Sequence, residues 1–216
     1  MRDYEMGVLN MFATVIDLLG RPRGLFAPAL LTMMNAGHKP FIEAVLSQVP
    51  ISVNDTVLDV GCGGGNAIAL MAPQAGTVYG VDISDASVKK ATSKNARFVE
   101  AGRVVIRQSD VAALPFEDEI FDLITAFETV YFWKDIEADF ALIARKLKPG
   151  GTFVVACETT KSGRDGTNKF EAASKGKMKV YCQDEMFSLL TGAGLSSLVK
   201  LCPEKQEWLC VSAMRK

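Results

Sequence analysis

The sequence predicts a single α/β domain around a mostly parallel sheet. Three observations carry this: a length that fits one core, short β-branched runs alternating with helix-like stretches from Thr56 onward, and a glycine-rich turn behind the first run. At 216 residues, 49% of them hydrophobic, the chain can bury one sizeable core and is short for two ordinary domains.

The elements follow in order. Residues 1–50 read as helical: Met6, Leu9, Phe12, Ala13, Ile16 and Leu19 recur at helical spacing, as do Phe41, Val45, Leu46 and Val49. Gly20, Pro22 and Gly24 separate the two sets. Apolar runs at 56–60, 77–81, 103–107, 120–126 and 152–157 then alternate with helix-like stretches, the pattern of βαβ units. Pro149, Gly150 and Gly151 should end the helix before the fifth run. Residues 161–180 turn polar and Gly/Lys-rich, as a surface insertion would. A helix from about Gln183 to Thr191 leads through Gly192 and Gly194 to two closing strands near 195–201 and 207–213.

Composition excludes several function classes. Lys plus Arg number 24 against 25 for Asp plus Glu, so no positive field exists to hold phosphate backbones or anionic lipid. A small-molecule partner is expected, with no nucleic acid and no membrane. The five cysteines form no CxxC pair and the one histidine cannot complete a Cys/His zinc set, so no metal and a reduced, cytoplasmic protein are expected. Asp3 and Glu5, followed by Asn10 and Asp17, fit neither a signal peptide nor a membrane span.

Val57, Leu58, Asp59 and Val60 form a buried strand, and Gly61, Cys62, Gly63, Gly64, Gly65 and Asn66 follow it into a helix beginning near Ala67. Glycines suit such a loop because a Cβ would block the approach of a ligand to the backbone and forbid positive φ. The dinucleotide pattern wants Gly or Ala three residues after its second glycine, and Asn66 stands there instead. About twenty residues past the loop, Asp82 ends the second run, where a carboxylate can accept both ribose hydroxyls or cap the helix from Ser84.

Four segments, VLDVGCGGGNAI, VYGVDIS, RQSDVAALPFEDEIFDLITAFE and LKPGGTFVV, in this order and spacing resemble the class I S-adenosylmethionine-dependent methyltransferases, especially the type 11 group acting on small molecules. The likeness covers about residues 55–157, and the final helix and strands fit more loosely. Together with crossover handedness it implies a Rossmann-like seven-stranded sheet in order 3-2-1-4-5-7-6, with only the strand near 207–213 antiparallel, helices on both faces and residues 1–50 as a lid over a 55–216 core. It implies S-adenosyl-L-methionine as cofactor, with Asp59, Gly61, Gly63 and Gly65 around its methionine half. Asp82 with Ile83 would meet the ribose, Asp110 with Val111 the adenine, and Phe127 the pocket wall. Asp59 either meets the amino-acid end through water or orients the glycine loop by bonding its amides, the reading preferred here. Asp110 either accepts from the adenine amino group or only caps the turn before Leu114 and Pro115.

The open carboxyl ends of the strands should form the pocket, which puts Phe127, Glu128, Thr129, Tyr131, Phe132 and Trp133 at its floor. Neither an Asp/Asn-Pro-Pro-aromatic turn nor a Pro-Cys pair stands there, as DNA amino- and cytosine-methylating enzymes require. Tyr131 and Trp133 are candidate walls for a flat or hydrophobic acceptor. Glu128 has three open roles: general base, clamp for the cofactor ammonium, or solvated loop carboxylate. His38, in a segment that resembles the N-terminal lid of part of the family, is either a base or a structural histidine in a helix connection. Tyr4 is a lid aromatic or, preferably, an anchor for the first helix. Glu128, His38 and Tyr131 are thus the catalytic candidates. An NAD(P)-dependent oxidoreductase and a catalytically silent binding module remain as rival functions, and oligomeric state is not legible.

Overall fold

The structure, a computed structural model, describes residues 18, 20–24, 27–161, 168, 171–172, 174–201 and 208–216. Met6, Leu9, Phe12, Ala13, Ile16 and Leu19 of the first helical set, and Tyr4, therefore lie outside the described residues. The elements run α1 Ala27–Leu46, β1 Thr56–Val60, α2 Asn66–Met71, β2 Thr77–Asp82, α3 Asp85–Lys94, α4 Ala96–Glu100, β3 Val104–Gln108, β4 Phe121–Phe127, α5 Ile136–Lys146, β5 Leu147–Cys157, α6 Gln183–Gly192, β6 Leu195–Lys200 and β7 Leu209–Arg215.

The seven strands form one sheet in the order β3-β2-β1-β4-β5-β7-β6. β1 pairs in parallel with β2 and β4, β2 with β3, and β4 with β5, while β7 runs antiparallel between β5 and β6. The expected order and the single reversed strand are both present.

Period-two alternation divides the core into two layers. Leu58, Ile124, Phe153 and Val155 face α5 and α6, where Phe140, Ile143, Met186 and Leu190 close over them. Val57, Leu123, Val154 and Ala156 face the other way, against Phe41 and Val45 of α1, Ile68 and Met71 of α2 and Ala91 of α3. Central strands buried on both faces explain the nearly continuous apolar runs.

Two sequence readings are corrected. The Pro149-Gly150-Gly151 segment does not merely separate helix from strand: α5 ends at Lys146, β5 already begins at Leu147, and the ladder to β4 shifts register between Phe121 and Leu123. Gly151 sits against the carbonyls of Lys148 and Phe121, both 2.9 Å from where its Cβ would stand, so only glycine lets the strand re-enter the ladder there. Of the cysteines, Cys62, Cys157 and Cys182 are free but Cys210 is disulfide-bonded, so the set is not wholly reduced. Among the described residues no helix is long and apolar enough to cross a membrane.

Candidate active site

The site opens where β1 and β4 part company, since β1 leads outward to β2 and β3 and β4 leads the other way to β5. The glycine loop hangs from the next strand. The amides of Gly61 and Cys62 both donate to the Val81 carbonyl, at 2.8 and 3.0 Å, and the Gly65 amide donates to the Cys62 carbonyl at 2.9 Å. Gly61 has φ +71, and a Cβ there would come within 2.2 Å of Thr129 Oγ1, so its glycine is required twice over. Gly63 has φ +50 with nothing within 4 Å of a would-be Cβ, leaving its backbone open to the cavity it lines.

Asp82 is the keystone of this half. Its Oδ2 accepts the Gly63 amide and its Oδ1 the Ser84 amide, both at 2.8 Å. The carboxylate is buried, and burial raises its pKa against the lowering effect of those two amides. Ser84, not Asp82, caps the helix that follows, accepting the Ser87 amide, while its hydroxyl donates to the Pro22 carbonyl at 2.6 Å. Asp59 departs from expectation. Its hydrogen-bond partner is the Thr125 hydroxyl, at 2.8 Å, and the loop amides go to Val81 and Asp82, so Asp59 does not orient the loop. Buried against the sheet, it has a pKa pushed up to about 7, chiefly by desolvation and further by Asp82, with the Thr125 bond opposing. Desolvation likewise pushes the Cys62 thiol well above its usual value, with the Asp82 and Asp59 charges adding.

Two adjoining chambers share Gly20, Gly61, Asp82, Thr129 and Phe132. The outer one, about 290 Å³, is lined by Ile83, Ser109, Asp110, Val111, Trp133 and Asp139 among others. Asp110 accepts the Ala112 amide at 3.1 Å and caps a 3-10 turn, yet still faces this chamber beside Val111. Asp139, which the sequence reading missed, has a pKa raised to about 6 by burial and by the charges of Asp110 and Asp135. Trp133 lines this outer chamber, with its indole N–H donating to Thr129, rather than the inner one.

The inner chamber, about 90 Å³, is roofed by α1. Leu31, Met34, Asn35, His38 and Ile42 of that helix line it together with Asp59, Gly63, Phe127 and Glu128. His38 therefore sits within a continuous helix, not in a helix connection. α1 is pinned to the glycine loop from both sides: Asn35 Nδ2 donates to the Gly64 carbonyl at 3.2 Å, and Asn66 Nδ2 donates to the Asn35 carbonyl at 2.5 Å.

At the other end His38 Nδ1 lies 2.5 Å from Glu158 Oε2, just past β5. The Glu158 amide donates to Glu128 Oε1. Glu128 follows β4 with φ +55, a left-handed conformation costly for a residue with a side chain and held here by its amide bond to the Ala156 carbonyl at 2.9 Å. Its pKa is raised to about 7, chiefly by burial, against lowering by the Glu158 amide and by His38. Tyr131 does not line either chamber; it lies buried behind Glu128, its hydroxyl 3.3 Å from Glu128 Oε1 and 3.1 Å from the Thr159 amide that donates to it. Burial also raises the phenol well above its usual value. The structure thus gathers His38 and Glu128 around one cavity, sets Tyr131 behind them, and adds Glu158, which no local motif announces.

Residues 58–155 match the family described as Methyltransferase domain, the type 11 group. The chain is 28% identical over 158 residues to 27-O-demethylrifamycin SV methyltransferase of Amycolatopsis mediterranei, covering 71% of this chain and 58% of that one. It is 38% identical over 101 residues to the O-methyltransferase cnsE of Penicillium expansum, covering 46% and 37%. It therefore spans well under two thirds of either relative. The fold is shared with geranyl diphosphate C-methyltransferase of Streptomyces coelicolor in complex with magnesium, geranyl diphosphate and S-adenosyl-L-homocysteine. That superposition has a TM-score of 0.69 at 16% identity, over 93% of this chain and 87% of that one.

Proposed function

We propose that this chain, which carries a class I S-adenosylmethionine-dependent methyltransferase domain of the type 11 group, transfers a methyl group to a small-molecule acceptor by direct in-line displacement. The observation that carries the reading is Asp82. One carboxylate bolts the open glycine loop to the end of β2 and faces the wall shared by both chambers, so loop and carboxylate are preset as one binding unit.

The residues present fit the cofactor. The backbone at Gly61, Gly63 and Gly65, with Asp59 beneath, would take the methionine half. Asp82 keeps free lone pairs for ribose hydroxyls after accepting two amides. Asp110, Val111 and Ile83 in the outer chamber offer an acceptor and apolar surface to adenine, with Phe127 closing the inner wall. When bound, the cofactor supplies a methyl already activated by a sulfonium, so no covalent intermediate on the protein is required. The chain's task is to hold the acceptor in line, exclude water and manage a proton. α1 roofs the cavity for the first two, and Glu128, His38 and Tyr131 are the groups available for the third. A cytoplasmic setting with no nucleic-acid or membrane partner belongs to the same reading, and the disulfide at Cys210 stands against the reduced state such a setting favours.

Calorimetry tests it: S-adenosylmethionine or its demethylated product should bind, with NAD and NADP inert, because Asn66 stands where a dinucleotide loop needs Gly or Ala and its side chain holds the lid instead. Binding of a nicotinamide cofactor in preference would establish the oxidoreductase reading. Cofactor binding without turnover on any acceptor would leave a silent binding module.

A further inference from the structure

We propose that His38 and Glu158 form a proton-accepting dyad and that the acceptor is a non-anionic, largely apolar molecule methylated on a hydroxyl oxygen. The inference rests on the methyltransferase reading above. His38 is the only imidazole in the chain, and it lines the inner chamber while Glu158 does not. With Nδ1 held 2.5 Å from the Glu158 carboxylate, the ring is fixed as the Nδ1–H tautomer and Nε2 remains the basic nitrogen. A carboxylate behind an imidazole sets its tautomer and stabilises the imidazolium that forms.

Glu128, the competing base, is differently placed. Its Oε1 already accepts the Glu158 amide and lies 3.3 Å from the Tyr131 hydroxyl, so one of its two oxygens is committed to donors within the protein. Glu158 is consequently the hub, anchoring Glu128 through its backbone and His38 through its side chain. The nature of the acceptor follows from what needs a base. A thiol ionises near pH 8.5 and an amine attacks through its free lone pair, whereas a phenol ionises only near 10 and an alcohol far higher. A hydroxyl gains most from a positioned imidazole. The chamber walls disfavour an anionic acceptor: among the described lining residues there is no Lys or Arg to meet one and three are acids, Asp59, Asp82 and Glu128, while Leu31, Met34, Ile42 and Phe132 present apolar surface.

In the step itself the hydroxyl proton passes to His38 Nε2 as the oxygen forms its bond to the methyl carbon and the carbon–sulfur bond breaks. The electron pair stays on sulfur, leaving a neutral thioether, a methylated oxygen and an imidazolium paired with Glu158.

Because there is a single histidine, nitrogen-15 NMR of the ring reports this directly in the full chain without any acceptor. The wild type should show the Nδ1–H tautomer, Glu158→Gln should keep it through the amide oxygen, and Glu158→Ala should revert to the Nε2–H form that free imidazole prefers. A wild-type ring in the Nε2–H form, or a Glu158→Ala ring unchanged, overturns the dyad. Mn²⁺ alone should leave the ring resonances sharp; selective broadening would make His38, Glu128 and Glu158, whose ligand atoms lie within 4.8 Å of one another, a cation site instead. With labelled cofactor and a mixture of catechol, thiophenol and aniline, the label should reach the phenolic oxygen, and His38→Asn should lower that turnover roughly 10²–10⁴-fold with cofactor affinity unchanged. Preferential labelling of sulfur or nitrogen overturns the acceptor class. Failure of the cofactor to bind in calorimetry counts against the methyltransferase reading, and the tautomer measurement still decides the dyad.

Discussion

The two halves proposed for the site, one for the cofactor and one for the acceptor, are built by different means. The cofactor half rests on backbone: the amides of Gly61, Cys62 and Gly63 lock onto Val81 and Asp82, about twenty residues away in sequence. The acceptor half rests on side chains brought from far apart, with His38 reaching Glu158 across 120 positions and Asn35 reaching Gly64 across 29. A loop fixed by neighbouring strand ends tolerates little change and holds one ligand, whereas a wall assembled from a lid helix and two strand ends can be re-lined residue by residue. The difference predicts where substitutions will hurt binding and where they will alter only closure.

The largest expected effect lies beneath the rigid half. Asp59 is raised from 3.8 to about 7, so the folded state holds a proton that the unfolded state releases between those values. Folding therefore takes up a proton across this window, and the buried charge lowers stability as pH rises through it, by on the order of 4 kcal/mol in full. Asp59→Asn should flatten the fall in melting temperature from pH 5 to pH 8, and an unaltered slope would show that the carboxyl is solvated. Next, Gly61→Ala meets both a positive φ and the Thr129 hydroxyl. It should cost about 2–4 kcal/mol of stability in denaturant titration. Gly63→Ala, strained in φ but with open space around its Cβ, should cost less stability while still obstructing the cofactor, a contrast that calorimetry of the two variants checks.

Asp82→Ala should weaken cofactor binding by roughly 1.5–3 kcal/mol, the scale of lost hydrogen bonds to a charged acceptor, with circular dichroism confirming the fold. Intact affinity would mean that the ribose does not sit there. The smallest effect belongs to the side-chain half: Asn35→Ala removes one latch and should shift lid closure by about 1 kcal/mol. Hydrogen exchange in Ala27–Leu46 should rise without cofactor and recover with it. Equal protection in both states would make α1 a fixed cap and erase the contrast.

The same division explains what could be read in advance. β1 begins and ends at the residues expected of it, and the first four runs lie within a residue of the observed strands, because strands buried on both faces announce themselves as apolar runs. That Gly61, Gly63, Asp82 and Asp110 would line a pocket is legible because their spacing is local. β5 was read five residues short because proline and glycine usually terminate elements, and here they serve a register shift inside one. Of the two roles open to Asp59, the preferred bond to the loop amides rests on its adjoining them in sequence, yet its side chain points along the sheet to Thr125. Glu158, Asn35 and Asp139 were not found at all. Each gains its importance from a partner dozens of residues away, and no local pattern marks a glutamate after a strand as the anchor of a distant histidine.

Cys62 sits in the glycine loop, 7% exposed, beneath the lid, where burial above all, with the charges of Asp82 and Asp59 adding, holds its sulfur in the unreactive thiol form. Alkylating reagents act on the thiolate, so they find this sulfur only in molecules whose roof has lifted and whose loop has met water. The residue is thus a clock wired into the chain, and the rate of its modification counts how often the chamber opens, with every bound ligand that slows the count betraying itself without label, colour or turnover.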